Sequence, residues 1–195
     1  MGKHAALKNR PLIFIDVETT GLDPTQHEMI EVAAVVAYPD KNVETPVFEA
    51  RIRPTHIETA SPRALEVNGY SEKDWADARP MEEVLPELVA FLEGAVIGGQ
   101  NTRFDVGFIH AALKHHGMDV RIDYHVIDVS TLAYEHLVPL GLKRLNLAAI
   151  CEFIGVDPEP DVHRALNGAM KALEIYYALS KATWMDRLRW RLANL

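Results

Sequence analysis

The chain has 195 residues, 48% hydrophobic and 25% charged, which suits one domain of ordinary globular composition and leaves little room for a second. A net charge of −8 excludes a broad basic surface that coats nucleic acid, and the single cysteine, Cys151, excludes an internal disulfide. No apolar run reaches transmembrane length and the first ten residues carry no secretory core, so no membrane association and a cytoplasmic location are expected.

In chain order, Pro11 to Val17 reads as a buried strand that ends in a Thr-Thr-Gly-Leu-Asp-Pro turn. Met29 to Tyr38 is a second strand, Pro39 to Asn42 a turn, and Thr45 to Ile52 a third strand, giving an antiparallel meander. Ser61 precedes a short helix with Pro62 at its first position, and Met81 to Leu92 has helical spacing. Ala95 to Gly99 is a short apolar strand and Phe104 to His116 a helix stopped by Gly117. Tyr124 to Val129 reads as a last strand. Ser130 to Leu137, Leu142 to Ile154 and His163 to about Lys181 read as helices. A helical extension over about 181–195 completes a single domain spanning 1–195, with its core at about 11–180. Strands followed by strand–helix–strand imply a mixed α/β sheet flanked by helices.

Three short patterns carry chemistry. Asp16 and Glu18 lie two apart on a strand, so both carboxylates point the same way. Close carboxylates repel unless a cation sits between them, and an oxygen-only pair suits Mg²⁺ or Mn²⁺. Asn101-Thr102-Arg103-Phe104-Asp105 follows a strand and opens a helix, whose dipole favours Asp105. His163 follows the Pro-rich stretch Asp157 to Pro160 and can take a proton from water near neutral pH. Alone, each pattern has an ordinary structural reading: a solvated strand end, a helix-start charge, one histidine among nine.

Together and in order, Asp-x-Glu-Thr-Thr-Gly, Asn-x-x-Phe-Asp and His-x-Ala resemble the DnaQ-like (RNase H-like) 3′→5′ exonucleases of the histidine subclass, similar to the proofreading subunit of bacterial DNA polymerase. The resemblance runs from about Pro11 to about Leu179, and includes Ala64 to Gly69 as the family's short helix after the third strand. It implies an RNase H-like five-stranded sheet, an antiparallel meander followed by parallel strands. Asp16, Glu18 and Asp105 match the family's metal-binding acids, and His163 its general base. Two metals roughly 4 Å apart then clamp the scissile phosphate. Thr19, Thr20, Gly21, Leu22, Asn101 and Phe104 fall where the terminal nucleotide is held, with Phe104 expected to pack beneath Asp105.

The departure is at Gly168, where the family pattern His-x-Ala-x-x-Asp has its last carboxylate. Losing a metal ligand costs several kcal/mol of transition-state stabilisation, at tenfold in rate per ~1.4 kcal/mol. Impaired or absent activity is therefore expected. A mid-helix glycine also costs about 1 kcal/mol against alanine, with no packing gain legible in the sequence. Survival of the other four residues points to an inactivating change in an active parent; Glu174 or water are the alternative occupants of the vacated role.

The resemblance implies single-stranded DNA as substrate, with RNA as a second class. The alternatives are a catalytically silent nucleic-acid-binding or scaffold protein on the same fold, and an enzyme that trims RNA 3′ ends. Lys143, Arg144 and Arg164 are candidate phosphate contacts. In the last helix Trp184, Leu188, Leu192 and Leu195 share one face, read as the face packed on the domain, with a protein partner as the sharper alternative.

Overall fold

The computed structural model describes residues 7–38, 47–120, 122–123 and 125–194. Five strands, β1 (Leu12–Thr19), β2 (Met29–Ala37), β3 (Val47–Arg51), β4 (Val96–Gly99) and β5 (Val126–Asp128), form one sheet in the order β3-β2-β1-β4-β5. The β1–β2 and β2–β3 pairs are antiparallel; β1–β4 and β4–β5 are parallel. This is the mixed sheet expected from the sequence. The start of the expected third strand at Thr45 and the turn at Pro39 to Asn42 lie outside the described residues.

Helices α1 (Pro62–Asn68) and α2 (Met81–Phe91) join β3 to β4, and α3 (Thr102–His115) joins β4 to β5. Then come α4 (Val129–Leu137), α5 (Leu147–Ile154), α6 (Ala165–Ser180) and α7 (Trp184–Ala193). The central strand β1 is apolar on both faces because both are covered. Ile13, Ile15 and Val17 pack with Leu85, Leu88, Phe108 and Ile109 of α2 and α3. Phe14 turns the other way, into a core with Ala133, Ile150, Ala169 and Leu173 of α4, α5 and α6. Alternation then places Asp16 and Glu18 on the α6 side, beyond Phe14. No helix among the described residues is long and apolar enough to cross a membrane.

Three expected elements are shorter. The helix expected from Leu142 starts at Leu147, because Asn146 accepts a hydrogen bond from the Ala149 N–H and so caps it there (3.2 Å). The helix expected from His163 starts at Ala165, with Arg164 extended at its N-cap. Of the strand expected over Tyr124 to Val129, Tyr124 lies outside the described residues; the strand runs over Val126–Asp128 and ends where Asp128 caps α4 by accepting from the Ser130 N–H (2.8 Å).

The expected face of α7 is reversed. Trp184 and Leu192 are 73% and 62% exposed, while Trp190 is buried in the second core. Asn194 Nδ2 adds a bond to the Phe153 carbonyl (3.0 Å). Leu195 lies outside the described residues.

Candidate active site

The cleft opens where the strands of the sheet part. β4 pairs with β1 only from Leu12 to Phe14, so beyond that point β1 has no neighbour on that side. Asp105, in the first turn of α3, fills the gap: its Oδ1 accepts the Val17 N–H at 3.0 Å. An amide that a longer β4 would have bonded thus fixes a carboxylate beside Asp16 and Glu18. A crevice at the carboxyl ends of strands, where successive connections leave in opposite directions, is where open α/β sheets place ligands.

Asp128 fixes the start of α3. Its carboxylate accepts the N–H groups of Asn101 (3.3 Å), Thr102 (3.0 Å) and Ser130 (2.8 Å). Asn101 itself is left-handed, at φ 57°.

The cleft has a volume of about 720 Å³ and brings Asp16, Glu18, Asp105 and His163 together, with Thr19, Gly21, Leu22, Asn101 and Phe104 also along its walls. Thr20 is not among the lining residues. It is fully buried, and its Oγ1 accepts the Glu28 N–H at 2.8 Å, so it braces the turn from inside. Gly21 is held to glycine by His27, whose ring would stand 2.2 Å from a β-carbon there. Phe104 packs into the first core and against Phe108 (ring centroids 4.9 Å), and one edge reaches the cleft.

The carboxyls are under strong mutual influence. Burial raises Asp16 well above its usual range, and Asp105, Glu18, Glu159 and Glu31 add to this. Burial pushes Glu18 up to about 8, with Glu31 and Glu159 adding and Arg164 opposing. Asp105 is raised well above its usual range by burial, against the hydrogen bond from Val17.

Glu31 and Glu159 were missed from the sequence. Glu31 faces Glu18 directly across the β1–β2 pair and is 1% exposed. A lone acid inside the apolar run Met29–Ala37 was the available signal. Its Oε2 accepts no hydrogen bond among the described residues; Arg164 Nη1 is 3.9 Å away. Glu159 lines the cleft with its side chain 10% exposed. Nothing in its Pro-flanked sequence marks it.

Arg164 does not point outward as a phosphate contact. Its guanidinium donates to the Asn68 carbonyl (2.5 Å) and lies 5.2 Å from the centre of the Trp75 ring. His163, one residue earlier, donates its backbone N–H to the Val67 carbonyl (3.1 Å). Both residues are thus docked on the end of α1. Asn68 in turn donates to the Thr19 carbonyl (3.0 Å). Lys143 and Arg144 line a separate surface hollow with Phe153 and Asn194.

At position 168 the structure supplies the close contact that the sequence did not suggest. A β-carbon on Gly168 would stand 2.5 Å from Asp16 Oδ2 and 2.7 Å from its Cγ. The Asp16 carboxylate occupies the space that a side chain on α6 would take. Glu174 is engaged elsewhere, accepting from Lys171 Nζ (2.9 Å).

Among the described residues, no three acids, histidines or cysteines stand ready as a metal cage. The donor chemistry nonetheless fits a divalent cation. Asp16 and Glu18 accept no hydrogen bond among the described residues, and burial beside like charges raises both. Oxygen-only ligands of this kind match hard cations.

Known proteins resemble this chain in both sequence and fold. The sequence profile of the RNase T family, described as exonuclease, matches residues 13–176. The chain is 31% identical over 173 residues to the DNA polymerase III PolC-type of Thermotoga petrophila, covering 88% of this chain and 12% of that protein. It is 36% identical over 172 residues to the PolC-type polymerase of Caldanaerobacter subterraneus subsp. tengcongensis, again 88% and 12%. The chain therefore matches a small part of these long relatives. Its fold superposes on E. coli Exonuclease I in complex with a dT13 oligonucleotide with a TM-score of 0.76 at 16% identity, covering 89% of this chain and 41% of that one. Exonuclease I of Methylocaldum szegediense gives 0.72 at 17% identity, covering 92% and 42%. With Asp16, Glu18, Asp105 and His163 converging in one cleft of an RNase H-like sheet, the chain belongs to the RNase T, DnaQ-like family of 3′→5′ exonucleases.

Proposed function

We propose that this chain is a metal-dependent 3′→5′ exonuclease that removes nucleotides from single-stranded DNA ends, at a rate limited by Gly168. The observation that carries the reading is the convergence of Asp16, Glu18 and Asp105 with His163 on one cleft.

Asp16, Glu18 and Asp105 would hold two Mg²⁺ or Mn²⁺ ions. When bound, such ions make water more acidic and stabilise charge on the attacked phosphate and the leaving oxygen. Exonuclease I, on the same fold, has a zinc-bound complex with single-stranded DNA. The chain's own groups do the rest. His163, nearly half exposed to the cleft, takes the proton of the attacking water. The water oxygen bonds to phosphorus as the P–O3′ bond breaks. The O3′ left on the shortened strand is protonated from solvent, and a nucleoside 5′-monophosphate is released. Leu22, 82% exposed, and the edge of Phe104 offer apolar surface to the terminal base, while Thr19, Gly21 and Asn101 border its sugar and phosphate. Thr20 acts only by holding this turn. Trimming of this kind would serve DNA replication or repair.

The close approach of Asp16 to Gly168 favours one second reading, a silent nucleic-acid-binding or scaffold protein on the same fold. Incubation of the chain and of Gly168→Asp with 5′-labelled single-stranded DNA and Mg²⁺ or Mn²⁺ separates the two. A ladder shortened from the 3′ end, stronger for Gly168→Asp, supports the enzyme. Binding without cleavage by either supports the scaffold. Preference for a matched RNA oligomer would make RNA the substrate instead.

A further inference from the structure

Resting on the exonuclease reading above, we propose that Glu159 supplies the carboxylate that position 168 lacks, as a metal ligand on the His163 side of the site. Four carboxylates beyond Asp16, Glu18 and Asp105 are candidates for this role: Glu31, Glu174, Asp161 and Glu159. Glu31, on β2 opposite Glu18, is 1% exposed, has Arg164 at 3.9 Å, and does not line the cleft. Glu174 is bonded to Lys171. Asp161 and Glu159 both line the cleft with Asp16, Glu18 and His163, but Asp161 is exposed to solvent while the Glu159 side chain is mostly buried.

Its side chain is nine-tenths buried, yet its carboxylate accepts no hydrogen bond among the described residues. A carboxylate on a mostly buried side chain, with no protein donor and facing the open cleft, is available to a cation. The nearest positive partner described is His163 Nδ1 at 3.9 Å, beyond hydrogen-bond reach, so Glu159 does not fix the imidazole in one orientation. Glu159, Asp16 and Glu18 line the same cleft.

Gly168 and Glu159 both bear on Asp16. Gly168 leaves the α6 side without a carboxylate, and Asp16 Oδ2 occupies that space. Glu159 lines the cleft from the segment before α6. A glutamate carries one more methylene than the aspartate it would replace, which suits a donor reaching in from a loop rather than from the helix wall.

The test is titration with Mn²⁺, followed by electron paramagnetic resonance of the free ion, on the chain, Glu159→Gln, Gly168→Asp and the double variant. Glu159→Gln is expected to weaken Mn²⁺ binding roughly tenfold or more, the scale on which ligand-shell changes act. Glu159→Gln combined with Gly168→Asp should return to the affinity of Gly168→Asp, which also shows that the glutamine does not disturb folding. If Glu159→Gln titrates like the parent while Gly168→Asp binds more tightly and trims DNA, the Glu159 assignment is wrong and the exonuclease reading stands. Glu159 is likewise ruled out as a ligand if Glu159→Gln leaves Mn²⁺ binding intact and only shifts the pH profile of cleavage, the mark of a residue acting through His163. If neither the chain nor Gly168→Asp binds Mn²⁺ or trims DNA, both readings fall together.

Discussion

Asp16 lies against Gly168, its Oδ2 2.5 Å from the place of a β-carbon that the glycine does not have. The contact joins the central strand to α6 at the point where the family pattern has a second carboxylate. It also makes the effect of substitutions there specific. Gly168→Asp must displace the Asp16 carboxylate from the space it now fills. It should raise Mn²⁺ affinity and 3′ trimming together, tenfold in rate for each ~1.4 kcal/mol gained. Gly168→Ala should also displace Asp16 but add no ligand, so trimming should not rise. The helix gain of about 1 kcal/mol usual for glycine to alanine should be largely absent in its melting curve. A gain in trimming by the alanine variant would argue against a ligand role at 168.

Asp105 serves both the fold and the site, and two substitutions separate these roles. Asp105→Asn keeps an acceptor for the Val17 N–H and should stay close to the parent in denaturant stability while losing metal binding. Asp105→Ala leaves that buried amide unpaired and should cost about 1–3 kcal/mol besides. Equal stability of the two would show that the Val17 bond contributes little.

The metal-free protein should become less stable as pH rises. Glu18 has its carboxyl pushed up to about 8 in the folded chain, from an ordinary 4.5. Between those values the native state binds more protons than the unfolded state. The stabilisation is complete below about pH 4.5 and is lost as pH climbs through the folded value, with a contribution on the order of 2–4 kcal/mol. Saturating Mn²⁺ should flatten or reverse the slope by favouring the ionised form. Urea melts at several pH values, with and without Mn²⁺, would check this; a stability that rises from pH 5 to 8 without metal would contradict it.

Arg164 is the counter-charge nearest a fully buried Glu31. Arg164→Ala should destabilise the chain on the order of 3 kcal/mol by removing the counter-charge nearest that carboxylate. Adding Glu31→Gln should restore part of the loss, which a double-mutant cycle would measure. Additive effects would show that the two groups do not interact.

On α7, Trp190→Ala should cost about 3–5 kcal/mol by opening a cavity in the second core. Trp184→Ala should stay within about 0.5 kcal/mol. The sequence pattern expects the reverse.

That reversal marks where sequence reading stops. The period of Trp184, Leu188 and Leu192 identifies a stripe, but Trp190 and Asn194 decide which side meets the protein, and a single tryptophan has no period. Asp16, Glu18 and Asp105 were legible because strand alternation and a helix start fix where such side chains go. Arg164 was not, since charge says nothing of direction: here a ring, a carbonyl and a buried glutamate draw it inward. The strand order was legible from the change between meander and strand–helix–strand. The starts of α5 and α6 were not, because a local cap at Asn146 and the docking of His163 on α1 outrank apolar spacing.

The Val17 amide gives the cleft a built-in reporter. Its proton is held by a carboxylate of the site rather than by a neighbouring strand. Any ion that draws on Asp105 must polarise or loosen that bond. The Val17 resonance in an amide spectrum, and its exchange with deuterium, should therefore follow Mg²⁺ loading of the site without substrate, turnover or label.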